Sequence, residues 1–378
     1  MSSSTSTRAP WTCAVVGTFA HDTCTVRWPR ILEETATNNP LHEKALLALA
    51  DEVRHGTLQA PKAPTPDLSR WQEALVSFVG RPWTEVAWYV GEALLYRRIL
   101  EATRFFEHST DADCSVDPFL ALKQREEEEG LRSPRPWSFE SSSASSSESS
   151  SESSSDLASL LHRCLWGNRA DLSLPSAKVH VSTDGDDLLA DDTALACSLL
   201  DEARSVGILL DNAGTELFSD LHLAQQLLAR TKRVTLVAKA TPFFVSDATA
   251  IDVQRSLQHL GMTGLQLPVE APWATVGPSF LDRAMEPELR ALLATFDVVI
   301  AKGDCNYRRL VGDVPWRGDD ARSFGEVTAG FPTSLVALRT CKAEVLVGVP
   351  GDVCTAAAQR DPRFLVSGRF GVIQARRR

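Results

Sequence analysis

The chain has 378 residues, is 43% hydrophobic and carries a formal net charge of -10. That length allows two or three domains with a sizeable core, and so acidic a balance argues against nucleic-acid binding over most of the surface. No apolar run approaches the roughly 20 residues of a membrane span, and no Cys pair has CxxC or zinc spacing, which suits free thiols in a reducing compartment.

The N-terminus, "MSSSTSTRAPW", lacks the apolar centre of a secretory signal, and its Ser/Thr/Arg composition leaves a transit peptide open. A cytoplasmic protein is the expectation. Residues 1–125 predict a helical part. "LHEKALLALADEV" and "EVAWYVGEALLYRRILEATRFF" repeat apolar residues at three- and four-residue spacing, and Pro61, Pro64 and Pro66 break the region between them. Residues 126–156 open on the acidic run Glu126–Glu129 and continue into "SFESSSASSSESSSESSSD". This stretch has almost nothing to bury and predicts a disordered insertion.

From 157 to 378 the character changes. "VGILLDNAG" (206–214), "RVTLVAKA" (233–240), "DVVIAKGD" (297–304) and "EVLVGVPG" (344–351) read as short strands. Helical stretches such as "ELFSDLHLAQQLLA" and "EPELRALLATF" lie between them. Strands alternating with helices predict an α/β fold: a three-layer α/β/α, Rossmann-like domain with a mostly parallel sheet.

In such sheets ligands gather at the carboxyl ends of the strands. Asp211-Asn212 with Glu216, Ser246-Asp247, the Lys302–Arg308 stretch and the Arg339/Thr340/Lys342 group all carry polar side chains next to predicted strands. The first three follow a strand; the fourth is expected just before the last one. Two carboxylates and an amide oxygen make a hard, oxygen-rich site suited to Mg²⁺, Mn²⁺ or a similar ion, and no His in these clusters argues for zinc. Lys342 and Arg308 could hold an anion beside it. Metal plus anion clamp is the composition of a phosphoryl-transfer or phosphate-hydrolysis site. Each cluster also has a plainer reading: Asp211-Asn212 and Ser246-Asp247 suit helix N-caps, and the Asp304–Arg308 and Arg339/Lys342 groups suit a turn and a solvated patch.

Four segments, "LLDNAGTELFSDL" (209–221), "PFFVSDATAID" (242–252), "KGDCNYRRL" (302–310) and "LRTCKAEVLVG" (338–348), together with "LWGNRADLSL" and "TCTVRWPRIL" (23–32), carry a family resemblance. The sequence resembles the damage-control phosphatase family, catalogued as domain of unknown function 89. Within it, Arg339-Thr340-Cys341-Lys342 matches the subfamily with an Arg-Thr-x-Lys signature, which includes acidic residue methyltransferase 1 and sugar-phosphate phosphatases. The resemblance implies that Asp211, Asn212 and Asp247 hold a divalent metal (Mn²⁺, Co²⁺, Ni²⁺ or Mg²⁺). It implies that Asp211 and Asp304 are catalytic, and that Asp211, Asn212, Asp304, Cys305, Asn306, Tyr307 and Arg308 contact a small phosphorylated sugar whose phosphate Lys342 holds. Glu216 and Asp247 match positions associated with S-adenosylmethionine in a proposed protein-glutamate methyltransferase activity. Thr215, Cys305 and Glu344 depart from the usual pattern, and Cys305, if exposed, would make the site sensitive to oxidation. The expected activity is metal-dependent hydrolysis of sugar phosphates, with methyl transfer as the alternative and no nucleic-acid or membrane partner.

Overall fold

Seven strands form one sheet in a computed structural model that describes residues 9–107, 114–132, 150–167, 187–230, 233–265, 269–271, 287–316 and 322–378. They are β1 (Leu188–Asp191), β2 (Ser205–Leu209), β3 (Arg233–Lys239), β4 (Val269–Ala271), β5 (Val298–Lys302), β6 (Ser334–Thr340) and β7 (Gly371–Arg376). The order across the sheet is β1-β7-β6-β5-β2-β3-β4. β2 to β6 run parallel, while β7 is antiparallel to β6 and parallel to β1. Every residue of β2 and of β5 is buried, which explains their unbroken apolar runs: both faces are covered. One face packs on helices that include Thr215–Arg230 and Ala250–Leu260, and the other on Pro287–Leu293 and the apolar side of Gly303–Val311. The fold is therefore the expected α/β/α arrangement.

The N-terminal helices, chiefly Trp28–Asn38, Glu43–His55 and Trp88–Ala102, enclose an aromatic core around Trp28, Trp71, Trp88 and Tyr96. That core is continuous with Phe243, Val245, Cys305 and Ala343 at the strand ends. The helical part thus roofs the edge of the sheet where ligands are expected.

Two sequence expectations need correcting. The segment 344–351 is not a strand. Its buried Val345 and Val347 extend beside the sheet, but side chains bond its backbone in place of a ladder: Arg339 donates to the Val345 carbonyl, and Tyr307 Oη accepts from the Val347 N–H at 3.2 Å. The strand lies earlier, at β6, so Arg339 and Thr340 close its carboxyl end and Lys342 follows them. The insertion also cannot begin at residue 126. A helix spans Leu120–Arg132, and Glu126 and Glu127 on it are buried. Glu127 takes Arg255 Nε at 2.5 Å and Ser256 Oγ at 2.9 Å. These partners, over a hundred residues away, are what make an acidic run fold. At its other end, a helix over Ser150–Trp166 reaches back into the Ser-rich tract. The expectation of disorder for 133–149 lies outside the described residues. Among the described residues no helix is long and apolar enough to cross a membrane.

Candidate active site

β2 is the point where the strand order reverses: β3 and β4 lie to one side of it, β5 and β6 to the other. A crevice opens at the carboxyl ends there, the usual ligand position in an open α/β sheet. It is a cleft of about 480 Å³, counting its open mouth, lined by Asp211, Asn212, Asp247, Asp304, Cys305, Arg308 and Lys342 from the sheet side. Arg27, Trp88, Glu92 and Phe244 complete the lining. Five of the polar groups predicted from sequence thus share one cleft with Cys305 and Arg308.

The backbone brings the acidic groups together. The Ala248 N–H donates to the Asp211 carbonyl and the Ala213 N–H to the Ser246 carbonyl, both at 2.7 Å. Asn212 and Asp247 pair as an isolated antiparallel bridge. The loop behind them is strained: Phe244 and Val245 adopt φ of 46° and 66°, a region that non-glycine residues rarely occupy. Gly303 is required by closeness as well as by its φ of 78°. A Cβ there would lie 1.7 Å from Asp211 Oδ2.

Asn212 is fixed from both ends. Its amide donates to Glu216 Oε2 at 2.8 Å and its oxygen accepts from Ser246 Oγ at 2.7 Å. Glu216 gives its other oxygen to Lys302 Nζ at 2.9 Å, and Lys302 also pairs with Asp220 at 2.8 Å. Glu216 is buried beneath the cleft and does not line it. Asp247 pairs with Lys239 Nζ at 2.9 Å. Burial, then the neighbouring Glu216 and Asp247, push the Asp211 carboxyl well above the usual range, against the pull of Lys239 and Lys342. Such a carboxylate is short of positive charge. Asp211, Asp247 and the Asn212 oxygen are all hard oxygen donors, so this set fits a divalent ion of the Mg²⁺ or Mn²⁺ kind. Among the described residues no group of three or more His, Cys, Asp or Glu is placed to hold a metal ion.

The "KGDCNYRRL" segment is a helix, Gly303–Val311, starting directly after β5. Helical geometry divides its polar residues between faces. Asp304, Cys305 and Arg308 line the cleft. Asp304 Oδ1 accepts Arg339 Nε at 2.7 Å and the Lys342 N–H at 3.2 Å, which joins the ends of β5 and β6. Asn306 and Tyr307, expected to contact substrate, turn away. Asn306 donates to the carbonyls of Leu210 and Lys302, at 3.2 and 2.8 Å. Tyr307 Oη donates to Gln374 at 2.8 Å, and its ring lies under the Arg339 guanidinium. Both brace the strand ends.

Arg308 lines the cleft but is engaged as an internal cation. Its Nε and Nη2 meet Asp313 at 2.7 and 3.1 Å, Nη1 meets Glu92 at 2.7 Å, and its plane stacks 4.0 Å from the Trp88 ring centre. Arg309 is buried as well, so neither arginine belongs to a solvated turn. Cys305 is buried, and burial pushes its thiol up to about 12, so it is not the oxidation-prone group an exposed thiol would be. All eight cysteines are free thiols.

Sequence reasoning missed Arg27, whose buried Nε has no hydrogen-bond partner while the residue lines the cleft. It also missed Glu92 and Asp313, the partners of Arg308. Arg27 and Glu92 lie in helical segments far along the chain from the strand ends, whereas Asp313 follows Arg308 by five residues.

A family model described as "Damage-control phosphatase ARMT1-like domain" matches residues 23–356. The chain is 28% identical to damage-control phosphatase ARMT1 of Mus musculus, covering 95% of this chain and 96% of that one. It is 28% identical to the Danio rerio protein of the same name, over 88% and 82%. A solved structure of a DUF89 family protein from Pyrococcus horikoshii aligns with a TM-score of 0.47 at 17% identity, over 94% of this chain and 95% of that one. With the family model spanning most of the chain, from the Arg27 segment through the four strand-end clusters, the protein belongs to the ARMT1-like damage-control phosphatase family.

Proposed function

We propose that the protein hydrolyses small phosphorylated sugars, such as fructose 1-phosphate or fructose 6-phosphate, and needs a divalent metal to do so. The observation that carries this reading is the pairing of opposite chemistries in one cleft. Asp211, Asp247 and Asn212 supply hard oxygens, while Lys342 and the unpartnered Nε of Arg27 supply cationic donors. A phosphate monoester needs both.

Asp211, Asn212 and Asp247 would hold the ion. When bound, a divalent ion polarises the phosphoryl oxygens and helps activate water. Lys342 and Arg27 bind the phosphate oxygens and stabilise the charge that develops on them. Asp304, anchored through Oδ1 by Arg339 and the Lys342 N–H, orients the attacking water at the cleft wall. Water forms the new P–O bond, the ester P–O bond breaks, and the sugar hydroxyl departs with a proton. Trp88 and Phe244 offer apolar surface to the sugar.

The methyl-transfer alternative gains nothing from Glu216. That carboxylate is committed to Lys302 and Asn212 and does not line the cleft. The test is phosphate release from a panel of sugar phosphates, with each divalent ion in turn, with chelator, and with Asp211→Ala. Release that needs metal and disappears in the variant supports the reading. Release that is indifferent to chelator, or methyl transfer without release, overturns it.

A further inference from the structure

The helix Leu120–Arg132 contributes nothing to the cleft lining, yet one of its residues touches the loop that carries Asp247. Lys123 is completely buried. Its ammonium donates to Asp117 Oδ2 at 2.8 Å, to Asp252 Oδ2 at 2.9 Å and to the Asp247 carbonyl at 2.8 Å. An ammonium has three hydrogens, and three partners use them all. We infer that Lys123 is a positioning residue for the metal set: it fixes the backbone from which the Asp247 carboxylate projects.

The surroundings explain why the loop needs it. Phe244 and Val245 hold left-handed conformations just before Asp247, and such strain persists only where the surroundings over-determine it. Lys123 supplies one restraint from outside. Through Asp252, it also links the loop to the start of the Ala250–Leu260 helix, where Asp252 takes the Thr249 N–H at 2.9 Å. The Leu120–Arg132 helix also packs against the turn that follows Asn212. Gly214, with φ of 72°, lies so close to Glu126 that a Cβ would fall 2.8 Å from its Cδ. Burial pulls the Lys123 ammonium toward losing its proton, but Asp117 and Asp252 more than offset that and raise its pKa above the usual lysine value. A buried ion pair is an expensive way to fill a core, and replacing the whole pair by hydrophobic residues is often as stable.

This rests on the metal reading above, and the test separates the two. Full-length wild type, Lys123→Met and Lys123→Gln are titrated with Mn²⁺ by calorimetry, with circular dichroism on each. Met keeps length and burial but donates nothing. We expect folded Lys123→Met to bind Mn²⁺ at least ~10-fold more weakly than wild type, the scale seen when a group that orients a metal ligand is lost. Lys123→Gln should fall between them. If Lys123→Met does not fold, the Gln variant decides by the same comparison. Wild-type affinity in a folded variant overturns the role of Lys123 and leaves the metal reading standing. No Mn²⁺ binding by wild type overturns both.

Discussion

Replacing Gly303 with Ala tests the site through one methyl group. Gly303 sits at φ 78°, and its missing Cβ would lie 1.7 Å from Asp211 Oδ2 and 2.0 Å from Cγ. Contact at that range is impossible, so the Asp211 carboxylate or the start of the Gly303–Val311 helix must retreat by more than an ångström. The backbone strain of an L-residue there costs about 1–2 kcal/mol, which lowers Tm by only a few degrees in a chain of this size. Displacement at the reacting centre is far more damaging, since about 1 Å of misplacement can cost on the order of 100-fold in rate. We therefore expect Gly303→Ala to stay folded and to lose at least ~100-fold in kcat/KM for metal-dependent phosphate release. Calorimetric melting and a phosphate-release assay on the same preparation separate the two effects. Near-wild-type turnover would refute the reasoning, because it would mean that Asp211 can move without consequence.

Tyr307→Phe removes the hydroxyl that bonds Gln374 and accepts from the Val347 N–H; it should cost about 1–3 kcal/mol in denaturant unfolding and change KM little. A large rise in KM with unchanged stability would return Tyr307 to the substrate site. Lys302→Met leaves Glu216 and Asp220 buried without their shared cation and should cost about 3–5 kcal/mol; an unchanged unfolding midpoint would contradict that. Arg308→Lys keeps the charge but loses the paired contacts to Asp313 and the fit to Glu92. It should lower stability by about 1.5–3 kcal/mol, and a loss of activity with no loss of stability would instead make Arg308 a direct phosphate ligand.

The parts of this molecule that were legible in the sequence are those where local pattern and tertiary role coincide. β2 and β5 are buried at every residue because both faces are covered, so Val206–Leu209 and Val298–Ala301 read as apolar runs, and the polar residues that follow them lie at the sheet edge. The segment 344–351 misled because Val345 and Val347 are as apolar as strand residues. Their backbone is bonded by Arg339 and Tyr307, partners that no local pattern reveals. The run Glu126–Glu129 misled in the opposite sense, since its partners Arg255 and Ser256 lie more than a hundred residues away. Within "KGDCNYRRL" the residue types pointed to chemistry. Only the helical turn shows that Asp304, Cys305 and Arg308 face the cleft while Asn306 and Tyr307 hold up its floor.

The proposed function requires that Asp211, Asn212 and Asp247 together hold a divalent ion. Crystals grown with Mn²⁺ and measured at the manganese absorption edge test it most directly. One anomalous peak is expected, bounded by these three side chains, present in wild type and absent in Asp211→Ala. A peak elsewhere, or one that survives the substitution, would contradict it.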